Sequence, residues 1–328
     1  MKLVTFEEPL SRQERVGALW RGKIIDTNLA YAKYLQDKGE PDPYDRATAV
    51  VPTRMMDLLK SGENSEAAVK SAVRFVQTLL EEAKSVRGPR DEQIVFDSSA
   101  VRLRAPVPRP GKMIHTAGNF REHADEGKKS GWEFPIPQWI SFLKSPSTVI
   151  GHEEAIIYPK FTKELDHEIE LAIIIGKRGK YLKKEEAYEY IAGYTVFNDI
   201  TARDIQRQEM KSGLLNFGKN LDTFGPMGPC LALKDEIPDP HNLKIECRVN
   251  GEVRQSSNTN HLSVKVPEII EHYSWVTLEP GDIITTGTVS GVAAFRPNPE
   301  QYYLKPGDIL ESEIERIGVL RNPIVAEK

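Results

Sequence analysis

The sequence predicts an α+β fold that is mostly β, in which a smaller N-terminal α+β domain precedes a larger β-rich domain. Apolar residues recur at helical spacing in the N-terminal third, whereas short runs of β-branched and aromatic residues, bounded by Gly, Pro, Asn or Asp, dominate the remainder. Prolines at 106, 108 and 110 restrict the chain to extended shapes between these two patterns. We therefore divide the 328 residues into domains 1–108 and 109–328.

The N-terminal domain begins with short strands and continues with helices. Strands are predicted at 2–6, 15–20 and 23–26, and Gly22 supplies the turn between the last two. A run rich in alanine and leucine favours a helix at 28–36. Apolar residues near 68, 72, 75, 76, 79 and 80 follow helical spacing, which predicts a longer helix at 65–85.

The C-terminal domain is expected to consist mainly of strands and turns. Strands are predicted at 113–117, 139–142, 168–175, 193–198, 244–250 and 282–286. Helices are predicted at 121–129, 184–190, 201–211 and 266–274. Two Pro-Gly-Asp turns, at 280–282 and 306–308, each precede a strand.

Composition and charge exclude several classes of function. The formal net charge is −4, so a general nucleic-acid binder, which needs a basic excess, is not expected. Two cysteines, Cys230 and Cys247, make neither a disulfide framework nor a zinc cage. The N-terminus lacks the apolar core of a secretory signal, and the apolar run 171–175 is far shorter than the roughly 20 residues that cross a bilayer. We expect a cytoplasmic protein without membrane or nucleic-acid partners.

Paired carboxylates at the start of an apolar strand are the first candidates for chemistry. Glu168 and Glu170 flank Ile169, and alternation along a strand puts both side chains on one face, about 6.6 Å apart. Such carboxylates repel each other unless protons or a divalent cation, which prefers oxygen ligands, intervene. The alternative is a solvated strand end at which both glutamates face water.

A third carboxylate, Asp199, follows another predicted strand and precedes the helix that begins near Thr201. It is either the N-cap of that helix or a further metal ligand. Arg203 and Gln206 are three residues apart, so they share one helix face beside Asp199. A guanidinium and an amide there suit the carboxylate and carbonyl of a substrate.

His123 and Glu126 are three residues apart on the predicted helix 121–129. The carboxylate can hold the imidazole in one tautomer, which makes it a competent general base near neutral pH. The alternative is an ordinary surface pair. Because Gly127 and Gly131 give this helix mobile flanks, we expect it to act as a lid.

Two glycine-punctuated loops contribute further candidates. Lys219 lies in one of them and would stabilise a developing enolate, unless it is a plain exposed lysine. Thr288 follows Gly287 in the other, and glycine permits close approach of the backbone to a ligand. The segment GTVSG is not the G-x-S-x-G elbow of a serine hydrolase, and no helix-forming stretch follows it, so we reject that class.

The order of these motifs resembles that of the fumarylacetoacetate hydrolase family. The segments are GNFREHADE, SFLKSPSTVIG, LDHEIELAIIIGK, GYTVFNDITARDIQ, GKNLDTFGP and PGDIITTGTVSGV, and the resemblance covers about residues 110–325. The resemblance implies a mixed β-roll catalytic domain, a bound Mg²⁺ (or Mn²⁺ or Ca²⁺) and a homodimer.

The resemblance also implies a role for each candidate residue. The implied metal ligands are Glu168, Glu170 and Asp199. The implied catalytic groups are His123, Glu126 and Lys219. The implied substrate contacts are Arg203, Gln206 and Thr288.

The expected activity is metal-dependent hydrolysis of a C–C bond in an acylpyruvate or diketo acid, such as fumarylacetoacetate or fumarylpyruvate, as in aromatic-compound catabolism. His123 would activate the water, and Lys219 would stabilise the enolate that leaves. The same enolate chemistry allows an oxaloacetate-type decarboxylase or a 2-hydroxyhepta-2,4-diene-1,7-dioate-type isomerase. A non-catalytic module that binds small acids is the alternative of another class. Departures from the family pattern, at TGTVSGVAA and in 296–303, leave the substrate open.

Overall fold

The computed structural model describes residues 1–131 and 139–328, and β-strands form most of its framework. The strands are β1 (Lys2–Glu7), β2 (Glu14–Trp20), β3 (Lys23–Asp26), β4 (Val95–Asp97), β5 (Arg102–Arg104), β6 (Met113–Ala117), β7 (Ile140–Lys144), β8 (Val149–Ile150), β9 (Ile156–Tyr158), β10 (Leu165–Asp166), β11 (Ile169–Ile175), β12 (Ile191–Asn198), β13 (Thr201–Ala202), β14 (Gly225–Leu233), β15 (Lys244–Val249), β16 (Glu252–Asn258), β17 (Ile283–Thr288), β18 (Ile309–Ile314) and β19 (Gly318–Ala326). The helices are α1 (Thr27–Asp37), α2 (Pro43–Val50), α3 (Met55–Ser61), α4 (Glu63–Glu81), α5 (Arg121–Lys129), α6 (Arg203–Met210) and α7 (Val266–Tyr273). This mixture confirms the predicted α+β, mostly β class.

The largest sheet runs in the order β4-β3-β2-β1-β14-β12-β11-β17-β6-β7, with β5 on β1 and β8 on β14. A second sheet has the order β16-β15-β18-β19-β9. Every residue of β11 and β12 is buried, because both faces of the sheet are covered. Alternate residues of β11 therefore join different apolar clusters, Leu171 and Ile173 one and Ala172 and Ile174 the other.

The N-terminal strands extend the same sheet as the C-terminal ones. Strand β1 pairs antiparallel with β14 through Lys2 and Leu3, which face Ala232 and Leu231. Helix α4 packs its buried side, which includes Val69 and Val73, against this end of the sheet. The division of the chain at residue 108 stays a prediction, and the sheet itself crosses that point.

Several elements differ from their predicted bounds. Residues 184–190 form a 3₁₀ helix, and the helix predicted from 201 begins at Arg203, because Thr201 and Ala202 pair as a short strand with β10. The sequence pattern missed α2 and α3, which are only 8 and 7 residues long. Within residues 1–131 and 139–328, no helix combines the length and apolar character that a membrane crossing needs.

Gly193 lets β12 and β14 approach closely at the centre of the large sheet. A Cβ atom at this position would lie 2.1 Å from the carbonyl oxygen of Ala232. Gly193→Ala is therefore expected to lower the free energy of unfolding by about 1–3 kcal/mol in urea denaturation. Gly307→Ala is the control, since its Cβ meets no atom within 4 Å and only the positive φ of 99° resists it. A loss well below about 1 kcal/mol in Gly193→Ala would show that the close approach is unimportant, whatever the backbone strain costs in Gly307→Ala.

Candidate active site

The candidate site lies inside the large sheet, where four strands bring charged side chains together. His115 is on β6, Lys144 ends β7, Glu170 is on β11 and Asp199 directly follows β12. All four are almost completely buried, with exposed fractions of 0% for His115 and Asp199 and 2% for the other two. Charged groups are seldom buried unless they are paired or bind an ion. The burial of these four side chains therefore indicates a functional site.

Asp199 is held by two buried lysines. Its Oδ1 accepts a hydrogen bond from Lys144, and its Oδ2 accepts one from Lys219 Nζ at 2.6 Å. Helix α6 starts at Arg203 with Ala202 as N-cap and no side-chain cap, so the N-cap alternative for Asp199 is wrong. Lys219 is 2% exposed, which also excludes the plain surface lysine.

Glu168 is neutralised by two cations rather than solvated. Arg203 Nη1 lies 2.6 Å from its Oε1, and Lys219 Nζ donates to its Oε2 at 2.9 Å. Arg203 also donates through Nε to Asp166 Oδ2 at 2.8 Å and through Nη1 to Gln206 Oε1 at 2.9 Å. Its Nη2 is buried and has no hydrogen-bond partner among the described residues. The guanidinium thus keeps one nitrogen available for a further hydrogen bond.

Glu170 is the carboxylate with spare capacity. Its Oε2 is buried without a hydrogen-bond partner in the described part of the chain, and His115 Nδ1 lies 3.6 Å away. The alternative in which Glu168 and Glu170 face water is wrong, because they are 6% and 2% exposed. An unpartnered buried carboxylate oxygen is costly, and a cation or a proton removes that cost.

The ionisation of these groups follows from burial and charge. Burial and the nearby Asp199 and Glu168 raise the pKa of Glu170 well above its ordinary value. Burial opposes ionisation of Asp199, but Lys144 and Lys219 outweigh it and keep the pKa of Asp199 low. Burial lowers the pKa of Lys219, yet Asp199 and Glu168 outweigh it and raise that pKa. Asp199 and Lys219 are therefore charged at neutral pH, and Glu170 favours its protonated form until a cation offsets its charge.

Three side chains of the cluster are close enough together to hold one divalent cation. One ligand atom each from His115, Glu170 and Asp199 lies within 4.8 Å of the others. Carboxylate oxygens are the donors that Mg²⁺ and Ca²⁺ prefer, and a carboxylate oxygen that already accepts one hydrogen bond keeps a second lone pair. The ligand set inferred from the motifs, with Glu168 as third carboxylate, stays a prediction.

In the dyad on α5, His123 is buried and Glu126 is partly buried. His123 is 5% exposed, and its Nδ1 lies 3.6 Å from Glu126 Oε2. Both carboxylate oxygens of Glu126 accept hydrogen bonds from the Gly291 amide, at 3.1 and 3.0 Å. The ring also packs against Phe295, with centroids 5.2 Å apart. The Gly291 loop thereby orients the carboxylate that faces the imidazole.

Thr288 and Gln206 are bound within the protein. Thr288 Oγ1 donates to the Ile169 carbonyl at 2.8 Å and accepts from Gln255 Nε2 at 2.9 Å. Gln206 is buried and its Oε1 accepts from Arg203. Contact of either side chain with substrate stays a prediction.

Four further residues of the cluster had no role in the sequence analysis. They are His115, Lys144, Asp166 and Gln255. Lys144 and Asp166 lie inside the motif segments SFLKSPSTVIG and LDHEIELAIIIGK, which was the available signal. His115 and Gln255 lie outside the motif segments, and only the sheet order brings them to the site.

Comparison with known proteins identifies the family. A family model described as fumarylacetoacetate (FAA) hydrolase C-terminal matches residues 112–325. A mitochondrial oxaloacetate tautomerase of Rattus norvegicus is 39% identical over 328 residues, 99% of this chain and 92% of that protein. An oxaloacetate tautomerase of Bacillus subtilis is 43% identical over 257 residues, 76% of this chain and 83% of that protein.

Solved structures lead to the same family. A fumarylacetoacetate hydrolase of Exiguobacterium antarcticum is 31% identical, with a TM-score of 0.74 and full coverage of both chains. A maleylpyruvate hydrolase of Sphingobium, solved with manganese(II) and pyruvate, is 26% identical, with a TM-score of 0.70 and full coverage of both chains. Hydrolases and tautomerases are thus both among the similar proteins. The chain belongs to the fumarylacetoacetate hydrolase family.

Proposed function

We propose that the chain catalyses the keto–enol tautomerisation of oxaloacetate or a closely similar 2-oxo dicarboxylate, with a divalent cation at Glu170 and Asp199. The observation that carries this proposal is the charge of the buried cluster. Its four carboxylates, those of Asp166, Glu168, Glu170 and Asp199, face the three cations of Lys144, Arg203 and Lys219. A divalent cation turns the single excess negative charge into a single positive charge, which favours an anionic substrate.

Similarity to the two oxaloacetate tautomerases supports the same substrate class. A bound divalent cation would supply Lewis-acid polarisation of the substrate carbonyl. We assign the unpartnered Nη2 of Arg203 to a substrate carboxylate, because a charged N–H donor forms strong hydrogen bonds with a carboxylate oxygen. Asp166 and Glu168 hold the other nitrogens of that guanidinium and so fix its orientation.

We assign the proton transfer to His123. Its imidazole takes a proton from C3 of the keto form, so the C3–H bond breaks and the C2=C3 double bond forms. The imidazolium then gives a proton to the C2 oxygen, which completes the enol. The Glu126 carboxylate, 3.6 Å from Nδ1, stabilises the imidazolium in between. Lys219, with hydrogen bonds to Glu168, Asp199 and Thr201, remains charged and stabilises the oxygen on which negative charge develops.

Hydrolysis of a C–C bond in an acylpyruvate is the second candidate. The dyad favours it, because an imidazole oriented by Glu126 can equally activate a water molecule. Similarity to the maleylpyruvate hydrolase supports it as well. Decarboxylation and double-bond isomerisation use the same enolate and differ only in the product.

Product analysis separates these activities. The protein with Mn²⁺ or Mg²⁺ is incubated with oxaloacetate, an acylpyruvate and fumarylpyruvate, and every acid is quantified. We expect oxaloacetate to interconvert between enol and keto forms with no loss of total oxaloacetate. Release of two acids from fumarylpyruvate, with no effect on oxaloacetate, would replace the tautomerase by the hydrolase. CO₂ and pyruvate from oxaloacetate would show a decarboxylase, and no turnover at all would favour a binding module.

Removal of the metal is expected to lower stability as well as activity. A cation held at 100 times its Kd stabilises the native state by about 2.7 kcal/mol. The melting temperature with excess Mn²⁺ should therefore exceed that with a chelator. Glu170→Gln, which removes the free carboxylate oxygen, should abolish most of this difference. Identical melting of the wild-type protein in both conditions would contradict a metal site here.

The lid role of α5 stays a prediction with a direct test. Glu122 ties the helix to His261 at 2.8 Å, and Glu126 ties it to Gly291. Binding of oxalate, a planar mimic of an enolate, is expected to slow amide hydrogen exchange in α5 more than in α7. Equal exchange with and without oxalate would argue against a lid. The homodimer and the cytoplasmic location likewise stay predictions.

A further inference from the structure

His115 lies within the candidate metal cluster although none of the motifs assigns it a role. One of its ring nitrogens is within 4.8 Å of a ligand atom of Glu170 and of one of Asp199. We propose that His115 is a direct nitrogen ligand of the bound cation, together with Glu170 and Asp199, and that it biases the site towards transition-metal ions over Mg²⁺. This inference rests on the cation site of the proposed function but not on the reaction.

The ring of His115 lies beside the Glu170 carboxylate. Its Nδ1 is 3.6 Å from Glu170 Oε2. A modest movement of the side chains would bring one ring nitrogen and the two carboxylates around the same ion, since the three ligand atoms already lie within 4.8 Å of one another.

The ring is held in place by the surrounding side chains. It stacks on Phe142, with centroids 4.9 Å apart, and meets the edge of Phe197 at 5.0 Å. Thr285 Oγ1 lies 3.0 Å from Nδ1, while Nε2 is buried without a hydrogen-bond partner among the described residues. A hydroxyl on one nitrogen and a cation on the other is a common arrangement for a metal-binding histidine. An unpartnered buried nitrogen is otherwise a cost of about 1–3 kcal/mol.

The type of ligand atom influences which ion the site prefers. A neutral nitrogen in the ligand set suits Fe²⁺, Co²⁺ or Mn²⁺ better than Mg²⁺, which prefers oxygen throughout.

Pulsed electron paramagnetic resonance of the Mn²⁺-loaded protein tests this directly, without any turnover. Wild-type protein is expected to show coupling of the Mn²⁺ electron spin to a directly bound ¹⁴N nucleus, and His115→Gln is expected to lose it. The same variant should bind Mn²⁺ about tenfold or more weakly, with a smaller change for Mg²⁺. His152→Gln, a substitution of a half-buried histidine whose ring faces Glu153, is the control and should retain the coupling.

The outcomes separate this inference from the proposed function. Bound Mn²⁺ without nitrogen coupling in the wild type, or coupling that persists in His115→Gln, overturns the ligand role of His115 and leaves the cation site intact. Failure of Mn²⁺ to bind the wild type overturns the cation site and this inference with it. If His115→Gln does not fold, wild-type protein labelled with ¹⁵N-histidine and the His115→Asn variant give the same test, since the label alters the coupling only when a histidine is a ligand.

Discussion

Replacing Lys219 by Met is expected to lower the free energy of unfolding by about 3–5 kcal/mol, measured by urea denaturation in the presence of a chelator. The ammonium is 2% exposed and donates to Glu168, Asp199 and Thr201, at 2.9, 2.6 and 2.8 Å. Without it, two buried carboxylates lose a cation that they share, and water cannot reach them to compensate. The loss is expected to be among the largest of any single substitution in the chain.

Lys211→Met is the matched control for this experiment. Lys211 is exposed just after α6, so its removal is expected to change the free energy of unfolding by less than about 0.5 kcal/mol. A Lys219→Met protein as stable as the Lys211→Met protein would mean that the buried ion cluster does not exist as described. Partial recovery of the Lys219 variant at pH 4 would support the cluster, since protonation of a carboxylate then removes the unpaired charge.

Replacing His123 by Ala is expected to reduce kcat for oxaloacetate tautomerisation by about 10²–10⁴, which is the range that a general acid–base catalyst contributes. Affinity for Mn²⁺ should be unchanged, because His123 is on α5 and the ligand atoms are on or beside β6, β11 and β12. The measurement is steady-state turnover beside calorimetric titration with Mn²⁺ on the same preparation.

Glu126→Gln supplies the graded comparison for His123→Ala. The amide keeps the shape of the side chain and can still accept from Gly291, but it loses the negative charge that faces the imidazole. We expect a loss of turnover smaller than that of His123→Ala. Full activity of His123→Ala towards every accepted acid would make the base assignment wrong, whichever of the two candidate reactions the protein catalyses.

Local sequence patterns predicted an element correctly where its own residues determine its structure. The bounds of β6 and α5 agree with the predicted 113–117 and 121–129, because a β-branched run ending at Gly118 and a charged helix after it are local signals. Strand β14 was missed because Pro226 and Pro229 argue against a strand within a sheet. It lies between β1 and β12 all the same, and the register of β12 against it shifts between Tyr194 and Val196.

The sequence likewise predicted only part of the candidate site. The sequence singled out Glu168, Glu170, Asp199 and Lys219 because each lies in a distinctive motif. It could not show that Lys144 reaches Asp199, 55 residues further along the chain, since this contact depends on the strand order β7-β6-β17-β11-β12. For the same reason the spacing of residues alone did not show His115 beside Glu170.

The most direct test of the proposed function is the rate at which the enol form of oxaloacetate disappears, followed by its ultraviolet absorbance. Total oxaloacetate and pyruvate are quantified in the same samples. We expect the wild-type protein with Mn²⁺ to accelerate enol decay without loss of total oxaloacetate, and chelator or His123→Ala to remove that acceleration. Enol decay at the uncatalysed rate, with the metal bound and the protein folded, would contradict the tautomerase.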